Sequence, residues 1–282
     1  VQGAADMGCQ PHQGAGYFPV ADEKIQNFYT EKYGVVHPTK AGLKIPEIFD
    51  AAIKKEVKAV WIIGEDVVQT DPNSAHVAKA MNSLDLLVVQ EIFMSETAKH
   101  ADVVLPGTTF LEKDGTFTNT ERRVQRVNRA AKPLPGTKPD GVIVTEMMQK
   151  LGYNQPIYDA DQVLAEIADV VPFFKGITRE RLGKLGLQWP VKEDGTDTQI
   201  LHTESFKLGK GRLKNFDWKE SSEIEANQKD YPLILTTSRV LQHYNAATMT
   251  RRTKNINIVD EDVLLIHPKD AAYRDLNTGD IG

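Results

Sequence analysis

Polar residues stand directly behind three apolar segments of the sequence. The clusters are Gly64-Glu65-Asp66, Gln90-Glu91 and Pro106-Gly107-Thr108. Each apolar segment is typical of a buried strand in a parallel sheet, and ligands of such sheets bind beyond the carboxyl ends of the strands. We therefore expect the clusters to line one binding edge. For Asp66 or Glu91 alone, a turn residue or a solvated strand end is an equally good interpretation, so the prediction depends on their combination.

The first cluster lies in KAVWIIGEDVVQTDP (58–72), which lacks the G-x-G-x-x-G pattern of NAD-binding folds. Gly64 lets the backbone approach a ligand closely. Thr70 and the amides leading into the next helix can bind phosphate oxygens, because a helix N-terminus presents free N–H groups. Gln90 and Glu91 end the second strand, where nucleotide-binding sheets often place a group against ribose hydroxyls. These features indicate a binding edge without naming its ligand.

Helix and strand patterns alternate along the segments that position these clusters. The predicted helices cover 23–34, 45–57, 73–83, 95–101, 139–153 and 159–171, and the predicted strands cover 59–64, 84–91 and 102–107. This alternation with short links predicts an α/β fold with a doubly wound, mostly parallel sheet. Residues 108–130 break the pattern, and turn chemistry at Asp114-Gly115 predicts a long functional loop or an irregular hairpin there.

Changes in composition predict three parts of the chain. Residues 1–184 form the α/β domain, and the polar, poorly periodic residues 185–230 form a connecting segment. The apolar run at 231–239 reads as a strand that opens a further domain over 231–282. Residues 261–282 read as a strand, a helix and a turn into an unfinished β element.

Composition excludes several classes of function. The net charge of −5 argues against broad nucleic-acid binding, which needs a basic face. Apolar runs are too short for a membrane span, and the first residues do not have the pattern of a signal peptide. The single cysteine, Cys9, excludes an intrachain disulfide and any all-cysteine metal or iron–sulfur site built by this chain alone. Cys9 and His12 form a C-x-x-H that we interpret as loop residues, and a reducing cytoplasm is favoured over the periplasm.

Several long segments, in order, resemble the molybdopterin oxidoreductase family. They are VQGAADMGCQP at the start, GEDVVQTDP (64–72), residues 88–125 from VVQEIFMSETAKHADVVLPGTTF to ERRVQ, KPDG (138–141) and LILTTSRVLQHYNAATMTRR (233–252). Over essentially its whole length the chain is similar to the large subunit of molybdenum- or tungsten-dependent formate dehydrogenases. This resemblance implies that residues 231–282 are the beginning of a β-barrel-type domain that binds the dinucleotide. Periplasmic nitrate reductases and relatives of respiratory complex I share much of this pattern.

The resemblance implies a cofactor of two molybdopterin guanine dinucleotides that hold one molybdenum or tungsten ion. Gly64, Asp66 and Thr70 would lie along one dinucleotide. Gln90 and Glu91 would meet its ribose or phosphate.

The resemblance also assigns roles to charged residues further along the chain. Lys113 would offer positive charge to the same ligand, and Asp140 would accept from guanine N1–H and the amino group, although a helix cap is the plainer interpretation of an aspartate there. Arg239 would bind a phosphate or pterin carbonyl through its fork. His243 would donate to pterin or phosphate oxygens, although a lone histidine is more often structural. Arg122-Arg123 would serve loop structure or the cofactor's negative field, with a solvated basic face as the competitor.

The catalytic residues of the family are expected outside this chain. The family's metal ligand (selenocysteine or cysteine), neighbouring histidine and substrate-orienting arginine precede the segment that starts here, as do its 4Fe-4S cysteines. The implied partners are the rest of the same subunit, electron-transfer subunits with iron–sulfur clusters or flavin, and a small-molecule substrate. Two alternatives stay open: a non-catalytic structural module of a respiratory complex, and a simple NAD enzyme, which the missing glycine fingerprint disfavours.

Overall fold

A computed structural model describes residues 2–281, apart from the side chain of Glu223. The chain divides into two compact units after Lys214, and each unit is described by itself. The division falls inside the predicted connecting segment 185–230, whose boundaries stay a prediction.

The strands are all short and lie in the first unit. They are β1 Gln13–Gly14, β2 Phe18–Pro19, β3 Ala59–Ile63, β4 Leu86–Glu91, β5 Val103–Pro106, β6 Gly115–Thr118, β7 Arg123–Val127 and β8 Leu187–Gln188. The α-helices are α1 Gln2–Asp6, α2 Glu23–Tyr33, α3 Ile45–Ile53, α4 Val67–Thr70, α5 Ser74–Asn82, α6 Asp140–Lys150, α7 Ala160–Val170, α8 Arg179–Leu182, α9 Ser222–Asn227 and α10 Pro268–Tyr273.

Local sequence signals explain where the helices around the sheet begin and end. Pro46 lies in the first turn of α3, where its missing N–H costs nothing, and the Glu47 carboxylate accepts from the Lys44 amide at 2.7 Å. The Asn73 side chain caps α5 by accepting from the His76 amide. Gly34 ends α2 in the left-handed conformation at φ 69°. The predicted helices are confirmed here, except that the stretch 95–101 contains only a 3₁₀ turn, Ala98–His100.

The predicted parallel sheet is confirmed in the first unit. Strands β3, β4 and β5 lie side by side in chain order, all parallel. Their register pairs Val60 with Leu87 and Ile62 with Val89, and these side chains share one face. That face forms a core with the buried residues Phe49, Ala52, Val77, Ala80 and Met81 of α3 and α5. The three strands follow one another across the sheet in a single direction. The reversal of strand order that a doubly wound sheet requires is therefore not seen among the described residues.

The segment that follows β5 forms the predicted irregular hairpin. Strands β6 and β7 pair antiparallel, and β8 pairs with β7. The prediction of a turn at Asp114-Gly115 is wrong, because the reversal lies at 119–122. There Asn119 Oδ1 accepts from the amides of Glu121 and Arg123, and Arg122 adopts φ 68°. Asp114 instead accepts from the Arg129 amide across the hairpin.

A second core joins the hairpin to α2, α7 and the chain around 170–191. Its buried members include Tyr29, Val124, Leu164, Phe174 and Leu182. Residues 187–198 belong to this packing rather than to a free connection, since β8 pairs with β7 and the Thr198 amide donates to the Gln188 carbonyl at 3.0 Å.

The second unit contains helices α9 and α10 and 3₁₀ turns at Thr250–Arg252 and Lys254–Asn257. Among its described residues, 215–281, there is no strand, so the predicted strands at 231–239 and 261–266 and the beginning of a β-barrel are not observed. The apolar run there lacks a neighbouring strand, and Ile234 and Leu235 are 75% and 77% exposed. A single extended segment without partners does not form a stable sheet. The helix predicted near the end is present as α10.

Candidate functional site

Three of the candidate residues meet where the parallel sheet ends and α6 begins. Gln90, at the end of β4, donates from Nε2 to Asp140 Oδ1 at 2.8 Å. The Lys113 ammonium forms an ion pair with Asp140 Oδ2 and also donates to the Thr108 carbonyl at 3.2 Å. Gln90 is completely buried, whereas Asp140 and Lys113 are partly exposed. Gln90 at the end of β4 and Lys113, which also contacts Thr108 directly after β5, therefore bind the same carboxylate, that of Asp140.

The backbone explains why Asp140 reaches this position. The Lys138 amide donates to the Pro106 carbonyl at 3.1 Å, so the chain before α6 runs beside the end of β5. Gly107 leaves room for the carboxylate, because a Cβ at this glycine would lie 3.0 Å from Asp140 Oδ1. Asp140 itself is in the first turn of α6, where a negative charge is favoured by the helix dipole.

Two buried polar atoms at this edge have no hydrogen-bond partner among the described residues. They are Gln90 Oε1 and Thr108 Oγ1. Buried polar atoms are nearly always paired, so an unpaired pair at a strand edge marks a place where a polar ligand group fits. Thr108 belongs to one of the strand-end clusters but is not among the site residues predicted from sequence. Its position directly after β5 is the sequence signal that points to it.

Glu91 lies beside this group at the end of β4. Its carboxylate accepts from the Ile92 amide at 2.7 Å. Burial raises the pKa of the Glu91 carboxyl, and the negative charges of Asp66 and Asp140 raise it further. Protonation of Glu91 therefore becomes easier in the folded protein than in an exposed glutamate.

Gly64 and Thr70 occupy the loop and helix that follow β3. Gly64 is left-handed at φ 65°, and nothing lies within 4 Å of where its Cβ would be. That open space fits the predicted close approach of a ligand. Thr70 is the last residue of α4 rather than the start of a helix, and its amide donates to the Asp66 carbonyl. Its hydroxyl donates to Glu65 at 2.8 Å, so the lone pairs of the hydroxyl oxygen are what Thr70 could offer a ligand.

Asp66 faces into the protein. It is 4% exposed, and its carboxylate accepts from the Thr97 amide at 2.8 Å and the Thr97 hydroxyl at 2.7 Å. The same hydroxyl accepts from the Val68 amide at 3.0 Å. Asp66 thereby joins the end of β3 to the connection between β4 and β5, which gives this residue a structural task independent of any ligand.

Arg239 and His243 both lie in the second unit. His243 Nε2 is 2.7 Å from the Val259 carbonyl, which requires a proton on that nitrogen, and Nδ1 is 3.0 Å from the Thr250 hydroxyl. A neutral His243 therefore uses its N–H within its own unit. Arg239 donates to Asn245 Oδ1 at 3.1 Å and is otherwise exposed, so it retains donors for an anionic group.

Arg122 and Arg123 serve the hairpin. The Arg122 guanidinium lies over the Trp189 ring and donates to the carbonyls of Trp189, Thr198 and Gln199. Arg123 pairs with Glu121 at 2.9 Å. These contacts support the role in loop structure that was predicted for the two arginines, rather than a solvated basic face.

Two cavities adjoin the Asp140 helix start. One, of about 270 Å³, has a charged lining that includes Lys113, Arg129 and Arg179. The other, of about 310 Å³, is lined by Asp140 and by the aromatic residues Phe110, Phe117 and Tyr158, among others. A flat polar group with an aromatic face would find both stacking surfaces and a carboxylate in the second cavity.

The remaining expectations concern metals and membranes. Cys9 is exposed, and no cluster of three or more metal-binding side chains occurs among the described residues. No described helix has the length and apolar character needed to cross a bilayer.

Comparison with known proteins places this geometry in a family. The family model "Molybdopterin oxidoreductase" matches residues 4–150, and "Molydopterin dinucleotide binding domain" matches residues 233–281. The chain is 42% identical over its whole length to the "F420-dependent formate dehydrogenase subunit alpha" of Methanocaldococcus jannaschii, of which it covers 42%. It is 38% identical to a "Probable oxidoreductase" of Bacillus subtilis, covering 99% of this chain and 28% of that protein.

A solved structure shares the mixed α/β fold. Acetylene hydratase from Pelobacter acetylenicus matches 90% of this chain and 38% of its own, with a TM-score of 0.56 and 21% identity. The chain spans less than half the length of these relatives.

Proposed function

The chain belongs to the molybdopterin oxidoreductase family, and on that premise we propose that it is the dinucleotide-binding part of a formate dehydrogenase alpha subunit. The complete enzyme would oxidise formate to CO₂ and pass the electrons to iron–sulfur clusters, with partner subunits carrying further clusters or flavin. Relatives named as formate dehydrogenase alpha subunits match the entire chain, which supports this choice over other members of the family.

The observation that carries the proposal is the convergence of Gln90, Lys113 and Asp140 at the carboxyl ends of β4 and β5. In an α/β sheet this is the edge that binds ligands. The unpaired Gln90 Oε1 and Thr108 Oγ1 supply further polar contacts for one. These donors and acceptors fit a guanine nucleotide with a diphosphate better than they fit an apolar ligand.

Asp140 selects guanine in this proposal. A carboxylate accepts two hydrogen bonds from guanine N1–H and the amino group, whereas adenine presents an acceptor at N1 and would be repelled. Each Asp140 oxygen already accepts one bond and has a further lone pair for the base. Lys113 holds the carboxylate in place and reduces its negative charge toward a diphosphate.

The other candidates take supporting roles. Gly64 gives the ligand space beside β3, Thr70 offers its hydroxyl, and Glu91 meets a ribose hydroxyl. Within the second unit, Arg239 has donors available for an anionic group. Asp66 and His243 act by holding the segments around them, since their polar atoms are engaged within the protein.

The cofactor itself would be two molybdopterin guanine dinucleotides with molybdenum or tungsten, which would supply an acceptor for the two electrons released when formate is oxidised. The residues of this chain bind and orient that group. The residues that contact the substrate are expected in the rest of the subunit.

The test is Asp140→Asn in the complete subunit. The asparagine keeps the size of the side chain but turns an acceptor into a donor facing the base. We expect bound guanine nucleotide, measured as GMP released by acid hydrolysis, to fall by roughly tenfold or more, as the loss of charged hydrogen bonds implies. Asp169→Asn is the matched control, because Asp169 is also an ion-paired aspartate, on α7 beside Lys32.

Unchanged GMP content in Asp140→Asn would reject the guanine assignment. The reaction is tested separately with the loaded parent enzyme. Formate-dependent reduction of a viologen dye is expected, and an enzyme with full metal and pterin that reduces nitrate but does not oxidise formate would overturn the choice within the family.

A further inference from the structure

The carboxylate of Asp6 is completely buried in the first unit and binds two aromatic side chains. The Tyr17 hydroxyl donates to Oδ1 at 2.7 Å, and the Trp189 indole N–H donates to Oδ2 at 2.9 Å. Gln2 Nε2 donates both to Oδ1 and to the Tyr17 oxygen, at 2.9 and 3.0 Å. The phenol oxygen of Tyr17 and the indole nitrogen of Trp189 are therefore separated by a single carboxylate group.

The two aromatic rings are also linked through a third ring. The centroid of Phe173 lies 6.1 Å from that of Tyr17 and 4.5 Å from that of Trp189, and both Phe173 and Trp189 pack against the second core. The backbone of Tyr17 adopts φ 62°, a left-handed conformation that is unusual for an aromatic residue. Strained positions that are held by their surroundings occur frequently at functional sites, so we asked what chemistry this arrangement supports.

Phenol and indole side chains can each lose one electron to a strong oxidant. An oxidised phenol is a strong acid, so tyrosine loses its electron readily where a base takes the phenolic proton at the same time. Asp6 provides such a base, because the described hydrogen bonds of its carboxylate are all donated to it. Burial and the hydrogen bond to Asp6 raise the pKa of the Tyr17 hydroxyl to about 12, so the phenol keeps its proton until the ring is oxidised.

Charges around the indole favour Tyr17 as the place where the electron vacancy comes to rest. The Arg122 guanidinium lies 5.5 Å from the centre of the Trp189 ring and disfavours a lasting positive charge on an oxidised indole. The Asp6 carboxylate attracts such a charge, but it loses this effect when it takes the proton of Tyr17. A tyrosine that has lost both an electron and a proton is neutral and needs no compensating charge.

We propose that Trp189, Asp6 and Tyr17 form a site that captures one-electron oxidants. An oxygen-derived radical, such as the hydroxyl radical, takes one electron from the Trp189 indole and is reduced to hydroxide. Tyr17 then gives one electron to the indole, while its O–H bond breaks and the proton passes to Asp6. The products are hydroxide, restored Trp189, a neutral tyrosyl radical and protonated Asp6. One electron from a reductant such as ascorbate, with the return of the proton from Asp6, restores Tyr17.

The position of this site suits the protection of a redox enzyme. Met7, the residue after Asp6, lines the cavity of about 310 Å³ that Asp140 also lines. Oxidising radicals formed at a cofactor bound beside Asp140 would therefore arise near the capturing residues. This benefit rests on the proposed function, whereas the capture chemistry rests only on the geometry of the three residues.

The test is flash photo-oxidation of the complete subunit by photogenerated tris(bipyridine)ruthenium(III), with EPR spectroscopy of samples frozen after the flash. We expect a neutral tyrosyl radical that shows, in D₂O, an exchangeable deuterium coupling from the hydrogen bond to protonated Asp6. Tyr17→Phe should remove most of this signal and leave an indole radical, and Trp189→Phe should lower the tyrosyl yield severalfold. Tyr153→Phe is the matched control, because the Tyr153 hydroxyl donates to the backbone carbonyl of Tyr33 and not to a carboxylate.

Mass spectrometry gives a second readout. In air, an indole radical that is not refilled adds dioxygen and is converted into stable oxygenated products. Repeated flashes should therefore oxygenate Trp189 severalfold more in Tyr17→Phe than in the parent or in Tyr153→Phe. Asp6 is left unchanged, because substitution of a completely buried carboxylate would disturb the first unit itself.

Three outcomes would overturn the proposal. They are a tyrosyl signal as large in Tyr17→Phe as in Tyr153→Phe, a tyrosyl yield that Trp189→Phe does not change, and equal oxygenation of Trp189 in the parent and in Tyr17→Phe. Because two different variants are used, the test stays decisive if one of them is poorly produced. Neither readout depends on bound guanine nucleotide or on activity with formate, so failure of the proposed function would leave both intact.

Discussion

The Lys113 ammonium and the Asp140 carboxylate form an ion pair where the parallel sheet meets the first turn of α6. Their side chains are 28% and 34% exposed, so the pair lies at the boundary between protein and solvent. Its effect on stability is correspondingly small, about 1 kcal/mol or less. The value of the pair lies in orientation, because it fixes one oxygen of a carboxylate whose other oxygen is fixed by Gln90.

This arrangement predicts that Lys113 acts on the cofactor through Asp140. Lys113→Met should lower the retention of guanine nucleotide severalfold in the complete subunit, and Lys113→Met combined with Asp140→Asn should be no worse than Asp140→Asn alone. GMP released per subunit is the measurement, arranged as a double-mutant cycle. Lys138→Met is the control, because Lys138 pairs with Glu146, a residue of α6 like Asp140. Additive losses would show instead that the lysine contacts the ligand independently.

Asp66 gives a prediction about stability. Asp66→Asn should destabilise the first unit by about 1–3 kcal/mol, because an amide nitrogen in place of Oδ2 would face the Glu96 amide, which donates to that oxygen. The Oδ1 atom would also lose the charge that strengthens its bonds from the Thr97 amide and hydroxyl. Thr97→Val should cost a similar amount, and the two costs should not add. Amide hydrogen exchange of β3 and β4 in the complete subunit measures the effect locally, with Asp85→Asn as an exposed control.

An Asp66→Asn variant that keeps its exchange protection but loses guanine nucleotide would contradict the structural role. It would return Asp66 to the ligand-contacting role that the resemblance to the family implies.

Much of the fold could be predicted because local signals and tertiary packing agree there. Ile48, Phe49 and Ala52 recur at helical spacing, and the sheet strands 59–64, 84–91 and 102–107 are continuous apolar runs; the structure uses both patterns directly. The same apolar signal at 231–239 did not produce a strand, because a strand exists only where a neighbour satisfies its backbone. The sequence pattern shows which side chains are apolar, but it does not show whether a partner strand lies beside them.

The sequence predicted that the candidate residues lie together at the sheet edge, but it did not predict their hydrogen bonds. The sequence pattern of the strands was sufficient to predict that Gln90 and Glu91 lie at the carboxyl edge of the sheet. Whether a polar side chain then faces a ligand or its own protein depends on residues far away in sequence. Asp66 meets Thr97, and His243 meets Val259, and neither contact has a signature in the spacing of the residues.

Glu91 provides a prediction about pH. Burial raises the pKa of Glu91, so the folded state holds the proton more tightly than the unfolded state does. Ionisation of Glu91 therefore destabilises the folded state. Local stability falls as pH rises from about 4.3, the ordinary glutamate value, through the raised pKa. Glu91→Gln should remove that dependence and make β4 more stable than in the parent at neutral pH. Hydrogen exchange of β4 amides from pH 5 to 7, corrected for intrinsic rates, is the measurement.

The control for this prediction is Glu96→Gln, because Glu96 is an exposed glutamate paired with Lys99. A parent protein whose β4 amides gain protection as pH rises over the same range would show that the sign is wrong. If Glu91→Gln also loses GMP, the carboxylate contacts the nucleotide in addition to its effect on stability.

Gly107 offers a steric test of the whole arrangement. A methyl group at this position would lie 3.0 Å from Asp140 Oδ1, closer than ordinary contacts allow, and the side chain of Asp140 is the group that must move. Gly107→Ala should therefore reduce retention of guanine nucleotide while leaving the exchange protection of β4 unchanged, since the carboxylate rather than the sheet absorbs the shift. Gly42→Ala is the matched control, because its methyl group would be 3.6 Å from the Pro11 side chain, an ordinary contact. If Gly107→Ala retained its GMP as fully as Gly42→Ala, the position of the Asp140 carboxylate would not matter to the bound base, and the assignment of Asp140 would have to be given up.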